Sequence, residues 1–148
     1  MKDPKIILLV EDNPDDEALT LRALRKNNIL NDIIVARDGA EALDLFFGGG
    51  IFNGNGQNVL PAVVILDLKL PKVDGLDVLK RLRSDARTKI VPVVVLTSSN
   101  DEQDILNSYG LGANSFIRKP VDFIKFVEVA SNIGLYWLVM NESPVRTL

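Results

Sequence analysis

The chain has 148 residues, 47% of them hydrophobic and 25% charged, which suits one globular domain with a full core. Its 17 basic and 20 acidic residues leave a net charge of −3, which argues against a nucleic-acid partner. It has no cysteine and no histidine, so disulfides, thiolates, histidine triads, histidine metal sites and an internal phosphohistidine are all excluded.

The opening MKDPKIILLVED has a short apolar run with acids straight after it, so Ile6–Val10 is read as a strand and not as a signal peptide. NPDDE begins the first helix: Asn13 caps, Pro14 sits in the first turn, and Asp15, Asp16 and Glu17 suit the positive end of the dipole. That helix should reach Lys26 with Ala18, Leu21 and Leu24 inward. Ile33–Ala36 is the second strand, and DGAE opens the second helix with Asp38 and Glu41 at capping-box spacing. Leu43, Phe46 and Phe47 make its apolar stripe.

GGGIFNGNGQN, residues 48–58, is expected to be a mobile loop; it lacks the lysine and spacing of a phosphate-binding P-loop. Ala62–Leu66 is the third strand, and the third helix follows Gly75 with Leu76, Leu79 and Leu82 at helical spacing. Pro92–Leu96 is the fourth strand. The fourth helix follows TSSNDEQD, carries Ile105, Leu106 and Tyr109 as its apolar residues, and stops at Gly110 or Gly112. Ser115–Ile117 is the fifth strand, and the fifth helix runs from about Asp122 to Leu138. The terminal apolar run Ile133–Met140 falls short of the roughly 20 residues that span a bilayer. A cytoplasmic protein with no membrane partner is expected.

The first, third and fourth runs are nearly all apolar rather than alternating, as in strands buried on both faces of a parallel sheet. Alternation of strand and helix then predicts one (βα)5 domain over 1–148, an α/β doubly wound sheet with a core at about 5–130 and an extended C-terminal helix and tail at 122–148.

Ligands of such sheets bind beyond the carboxyl ends of the strands. Glu11 and Asp12 follow the first strand, Asp67 the third, Thr97 and Ser98 the fourth, and Lys119 and Pro120 the fifth. Each has an ordinary reading: a solvated turn for Glu11 and Asp12, helix caps for Thr97 and Ser98, a solvated side chain for Lys119, an acceptor of loop amides for Asp67. Their convergence on one edge favours a site. Packed carboxylates raise one another's pKa, and a divalent cation relieves the repulsion. Magnesium, or manganese in its place, takes oxygen ligands; Asp12 and Asp67 are the natural ligands, with Glu11 holding waters. Asp67 keeps an oxygen free to attack phosphorus, while Lys119 and the Thr97 hydroxyl neutralise the transferring group.

ILLVEDN (7–13), ILDLKLPKVDG (65–75), VVVLTS (93–98) and FIRKP (116–120) together resemble the response regulator receiver domain of bacterial two-component systems, over about residues 5–130. The resemblance implies a flavodoxin-like sheet of strand order 2-1-3-4-5. It implies Asp67 as phosphoacceptor, Asp12 as direct magnesium ligand beside Glu11, and the backbone carbonyl of Lys69 as a further ligand. It also implies Thr97 as the switch hydroxyl, Lys119 as the phosphate-pairing lysine, a cis Lys119–Pro120 bond, and Phe116 as the aromatic switch residue. The donor would be a sensor histidine kinase. Thr97 moving toward the phosphate would vacate space for Phe116 and change the face made by the fourth helix, fifth strand and fifth helix.

The Gly-rich loop and the apolar end NIGLYWLVMNESPVRTL are similar to those of small regulators paired with bacteriophytochrome and cyanobacterial phytochrome kinases. Ile133, Tyr136, Trp137 and Met140 fall near helical spacing, so self-association or kinase docking through this apolar end is expected, with a homodimer through the face of the fourth helix, fifth strand and fifth helix and with Tyr136, Trp137 and Met140 as interface candidates. Lys69, two residues past Asp67, is expected to slow loss of the phosphoryl group. It also stands where haloacid dehalogenase-type phosphatases and metal nucleases need a second acid, which disfavours both. A receiver-shaped interaction module that is never phosphorylated is the other alternative. The protein is expected to be a switch and not a turnover enzyme.

Overall fold

A computed structural model describes residues 5–26, 32–53 and 59–144. Strands β1 (Ile6–Val10), β2 (Asp32–Ala36), β3 (Val63–Leu66), β4 (Val93–Thr97) and β5 (Ser115–Arg118) form one parallel sheet in the order β2-β1-β3-β4-β5. Helices α1 (Pro14–Lys26), α2 (Gly39–Phe47), α3 (Gly75–Arg83), α4 (Glu102–Gly110) and α5 (Phe123–Leu135) connect and follow them. The doubly wound fold and its strand order are those expected.

Every residue of β1, β3 and β4 is buried, while β2 and β5 at the edges are partly open. That explains why only the central strands read as unbroken apolar runs. The pleat divides the core in two. Leu8, Val10, Val64, Leu66 and Val95 pack with Phe46, Leu79 and Leu82 from α2 and α3. Ile7, Leu9, Val63, Ile65 and Val94 pack with Leu24, Phe126 and Ile133 from α1 and α5.

The helix starts at Asn13 and Asp38 hold. Asn13 Oδ1 accepts from the amides of Asp15 and Asp16 at 2.9 and 3.1 Å, and Asp38 Oδ1 accepts from the Glu41 amide at 2.7 Å. Neither Thr97 nor Ser98 caps α4; Asp101 does, accepting from the Gln103 amide at 2.9 Å.

Several facings differ from expectation. On α1, Ala18 is exposed and Thr20 is buried beside Ala23 and Leu24. The Thr20 hydroxyl donates to the Asp16 carbonyl at 2.8 Å, which meets its need for a partner. On α4, Leu106 and Tyr109 point to solvent while Ser108 is buried with no partner for its hydroxyl. The expected mobile loop is anchored in its first half. Phe52 is buried 5.0 Å from the Phe46 ring, and the Arg87 guanidinium donates to the carbonyls of Phe46 and Phe52. Residues 54–58 lie outside the described part.

α5 ends at Leu135, short of the expected Leu138, and gives way to a wider turn over Tyr136–Met140, closed by the Asn141 amide donating to the Tyr136 carbonyl at 2.7 Å. The stretch Phe123–Met140, 18 residues of mean hydropathy 1.3, is long and apolar enough by length and composition to cross a bilayer, and so exceeds the run Ile133–Met140. Phe126, Ala130, Ile133 and Leu138 within it pack against the sheet.

Candidate functional site

Parallel pairing brings the chemistry to one edge. Val10 and Leu66 are register partners, so β1 and β3 release Glu11 and Asp67 side by side. Backbone bonds fix both exits: the Glu11 amide donates to Ala36 at 2.9 Å and the Asp67 amide to Val10 at 3.1 Å. β4 ends on Thr97, whose carbonyl accepts the Lys119 amide at 2.7 Å. Gly75 closes the loop after β3. A Cβ there would stand 2.2 Å from the Asp67 carbonyl oxygen, so only glycine lets α3 start so near the acid.

Carboxylate oxygens of Glu11, Asp12 and Asp67 lie within 4.8 Å of one another. Glu11 and Asp67 are buried, and Asp12 stands at the mouth in solvent. Lys119 Nζ lies 2.7 Å from Glu11 Oε1, 2.8 Å from Asp67 Oδ2 and 2.8 Å from Asp16 Oδ2, with its side chain 7% exposed. Each ammonium proton thus has its own carboxylate.

Burial pushes Glu11 up to about 7, against the pull of the Lys119 ammonium and with the help of the Asp67 charge. Burial works against the Lys119 charge as well, but bonds to Asp16, Asp67 and Glu11 outweigh it and hold this ammonium above the usual lysine range. Three carboxylates therefore share one ammonium, and a fourth, Asp12, clusters with two of them. Among the described residues Asp12 has no ion-pair partner. An all-oxygen donor set with surplus negative charge and an unpaired acid at its mouth fits a hard divalent cation.

Thr97 is fully buried, and its Oγ1 accepts from the Ser99 amide at 3.3 Å. Phe116 is half-buried and packs on the α2–α3 side of the core. Lys69 donates its amide to Asp67 Oδ1 at 3.3 Å, and its exposed Nζ lies 3.8 Å from Asp104 Oδ2. The Lys119–Pro120 bond is trans, contrary to the expected cis form, since the described residues contain no cis peptide. Trans is the intrinsically preferred isomer, and in it the Lys119 amide and ammonium already reach their partners.

The structure thus gathers Glu11, Asp12, Asp67 and Lys119, with Thr97 and Phe116 on neighbouring strands. Of the interface candidates, Tyr136 and Met140 are exposed, while Trp137 packs against the core with its ring 5.1 Å from that of Tyr136. Sequence reasoning missed Asp16. The helix dipole accounts for the run NPDDE, although Asp16 also reaches the Lys119 ammonium that Glu11 and Asp67 share. Asp104 was missed as well; Ser99 Oγ donates to its Oδ2 at 2.5 Å.

Comparison with known proteins agrees with this geometry. Residues 7–131 match the response regulator receiver domain model. The chain is 41% identical over 143 residues to the probable methanogenesis regulatory protein FilR2 of Methanothrix harundinacea, covering 97% of this chain and 90% of that protein. It is similar to the phosphorylated cyanobacterial phytochrome response regulator RcpA (35% identity, TM-score 0.87, 96% of this chain and 99% of that one). It is also similar to the bacteriophytochrome response regulator AtBRR (48% identity, TM-score 0.70, 95% of this chain and 100% of that one). A carboxylate cluster with a buried lysine at the edge of a 2-1-3-4-5 sheet, and a family match over most of the length, lead to one conclusion: the chain belongs to the response regulator receiver domain family.

Proposed function

We propose that Asp67 accepts a phosphoryl group from a phosphohistidine of a sensor histidine kinase, and that this switches the surface formed by α4, β5 and α5. The observation that carries the reading is the Lys119 ammonium, 2.8 Å from Asp67 Oδ2 inside a cage of carboxylates. An Asp67 oxygen attacks phosphorus, the P–N bond to the donor histidine breaks, and the phosphoryl group stays on Asp67 as an acyl phosphate. Lys119 follows the charge from the carboxylate to the phosphoryl oxygens. The Thr97 hydroxyl, which among the described residues only accepts from the Ser99 amide, can donate to them.

A divalent cation, magnesium or manganese, held by Glu11, Asp12, Asp67 and the Lys69 carbonyl would supply charge neutralisation. Movement of Thr97 opens room toward which half-buried Phe116 turns, and α4 is built to respond. It exposes Leu106 and Tyr109 and buries a lone serine hydroxyl, so it has little packing to lose. The phytochrome-linked relatives support a bacteriophytochrome kinase as donor in light signalling. Receiver-domain regulators are generally signalling proteins rather than enzymes, and the chain is read as such a switch, placed in the cytoplasm beside its kinase.

Radiolabelled phosphate should pass from an autophosphorylated bacteriophytochrome kinase to the wild-type chain and not to Asp67→Asn. Transfer to the variant would overturn the assignment of Asp67. The exposed Leu106, Tyr109, Tyr136 and Met140 further support a homodimer through this face. Sedimentation should show a dimer for the wild type and a monomer for Tyr136→Glu with Met140→Glu; a dimer that survives the double change would place the interface elsewhere.

A further inference from the structure

We infer that Asp16 is a positioning residue of the phosphorylation site: it is the fixed anchor of Lys119. The inference rests on the reading of Asp67 as phosphoacceptor. Three carboxylates share the Lys119 ammonium in this structure: Glu11 at 2.7 Å, Asp16 at 2.8 Å and Asp67 at 2.8 Å. Two of the three are committed elsewhere during function. Glu11 and Asp67, with Asp12, form the cluster that suits a divalent cation, so their charge is drawn away from Lys119 when a cation binds. Asp67 also loses its carboxylate charge once it carries a phosphoryl group. Asp16 lies outside that cluster and takes part in neither event. Its grip on Lys119 is therefore the one that persists through the cycle.

The geometry suits this task. Asp16 sits in the first turn of α1, an element clamped to the edge by the Asn13 cap, whose side chain accepts the Asp16 amide at 3.1 Å. The Thr20 hydroxyl holds the Asp16 carbonyl at 2.8 Å. The backbone under Asp16 is thus fixed at both of its polar groups, and the carboxylate is only 23% exposed. Lys119 itself leaves the end of β5 on a backbone bond to Thr97. Without Asp16, its long side chain would be held in the cation-loaded state only by groups occupied with the cation, and lysine has much rotamer freedom to regain.

Lysine side-chain NH3+ resonances in proton–nitrogen NMR test this directly, with Lys119→Arg identifying the signal by its loss. The wild type should show a protected Lys119 NH3+ signal without and with magnesium. Asp16→Asn should lose that signal when magnesium is added, and Asp16→Glu, which keeps the charge, should restore it. Phosphorylation by acetyl phosphate at saturating magnesium should slow by on the order of tenfold in Asp16→Asn. A Lys119 signal in Asp16→Asn that matches wild type in magnesium, or an unchanged rate, overturns the inference. Failure of wild type to take any phosphate would instead overturn the reading of Asp67 as phosphoacceptor, and the NMR comparison would still decide whether Asp16 anchors Lys119.

Discussion

At the scale of single residues, the site is a contest for one ammonium. Lys119 keeps its charge because carboxylates surround it, although burial works against that charge. Lys69 is the opposite case: it stands in solvent, and its 3.8 Å pair with Asp104 is worth little at such exposure. The Lys69 side chain can therefore leave Asp104 for a phosphoryl group on Asp67, whose Oδ1 its own amide already contacts at 3.3 Å. There it would shield the group from water. Lys69→Asn should shorten the phosphoprotein lifetime several-fold, read as decay of the acid-labile adduct; an equal or longer lifetime would remove Lys69 from the account. The residues at the strand ends were legible in the sequence because each follows an apolar run. Asp16 was not, because its tie to Lys119 spans 103 positions and its own neighbourhood already explained it.

Elements are held by a few specific contacts. Gly75 lets α3 begin against the backbone of Asp67 and Leu68, with its amide donating to Leu68 at 2.9 Å. Gly75→Ala should lower unfolding free energy by about 1–3 kcal/mol and slow phosphorylation, since the added methyl must displace the loop that carries Asp67. Arg83, at the end of α3, donates to the carbonyls of Lys89, Val91 and Gly112 and to Asn114 Oδ1, with no carboxylate partner among the described residues. It ties α3 to the turn after α4. Arg83→Met should cost about 2–4 kcal/mol in urea unfolding with the slope unchanged, because several carbonyls lose their donors. A loss below about 0.5 kcal/mol, the ordinary surface value, would contradict that role. Strands and caps could be read from local pattern. The facing of α4 could not: periodicity marks Leu106 and Tyr109 as a stripe but does not say which side is covered, and here the stripe looks outward. Likewise the turn at Tyr136–Met140 depends on a backbone bond to Asn141 that leaves no mark in composition.

For the whole molecule, the fold is a means of delivery. A sheet with three strands buried on both faces is rigid, and its rigidity sets acid, hydroxyl and ammonium at one edge. The opposite property belongs to α4, which buries only Ser108 and turns Leu106 and Tyr109 outward, and to the outer side of the C-terminal turn, where Tyr136, Val139 and Met140 are exposed. A rigid site beside a loosely held surface is what a phosphorylation switch requires. Whether Asp67 carries the phosphate is read by intact-mass measurement after incubation with acetyl phosphate and magnesium. The wild type should gain a single acid-labile phosphoryl adduct and Asp67→Asn none; an unmodified wild type, or an equal adduct on the variant, would contradict the role of Asp67.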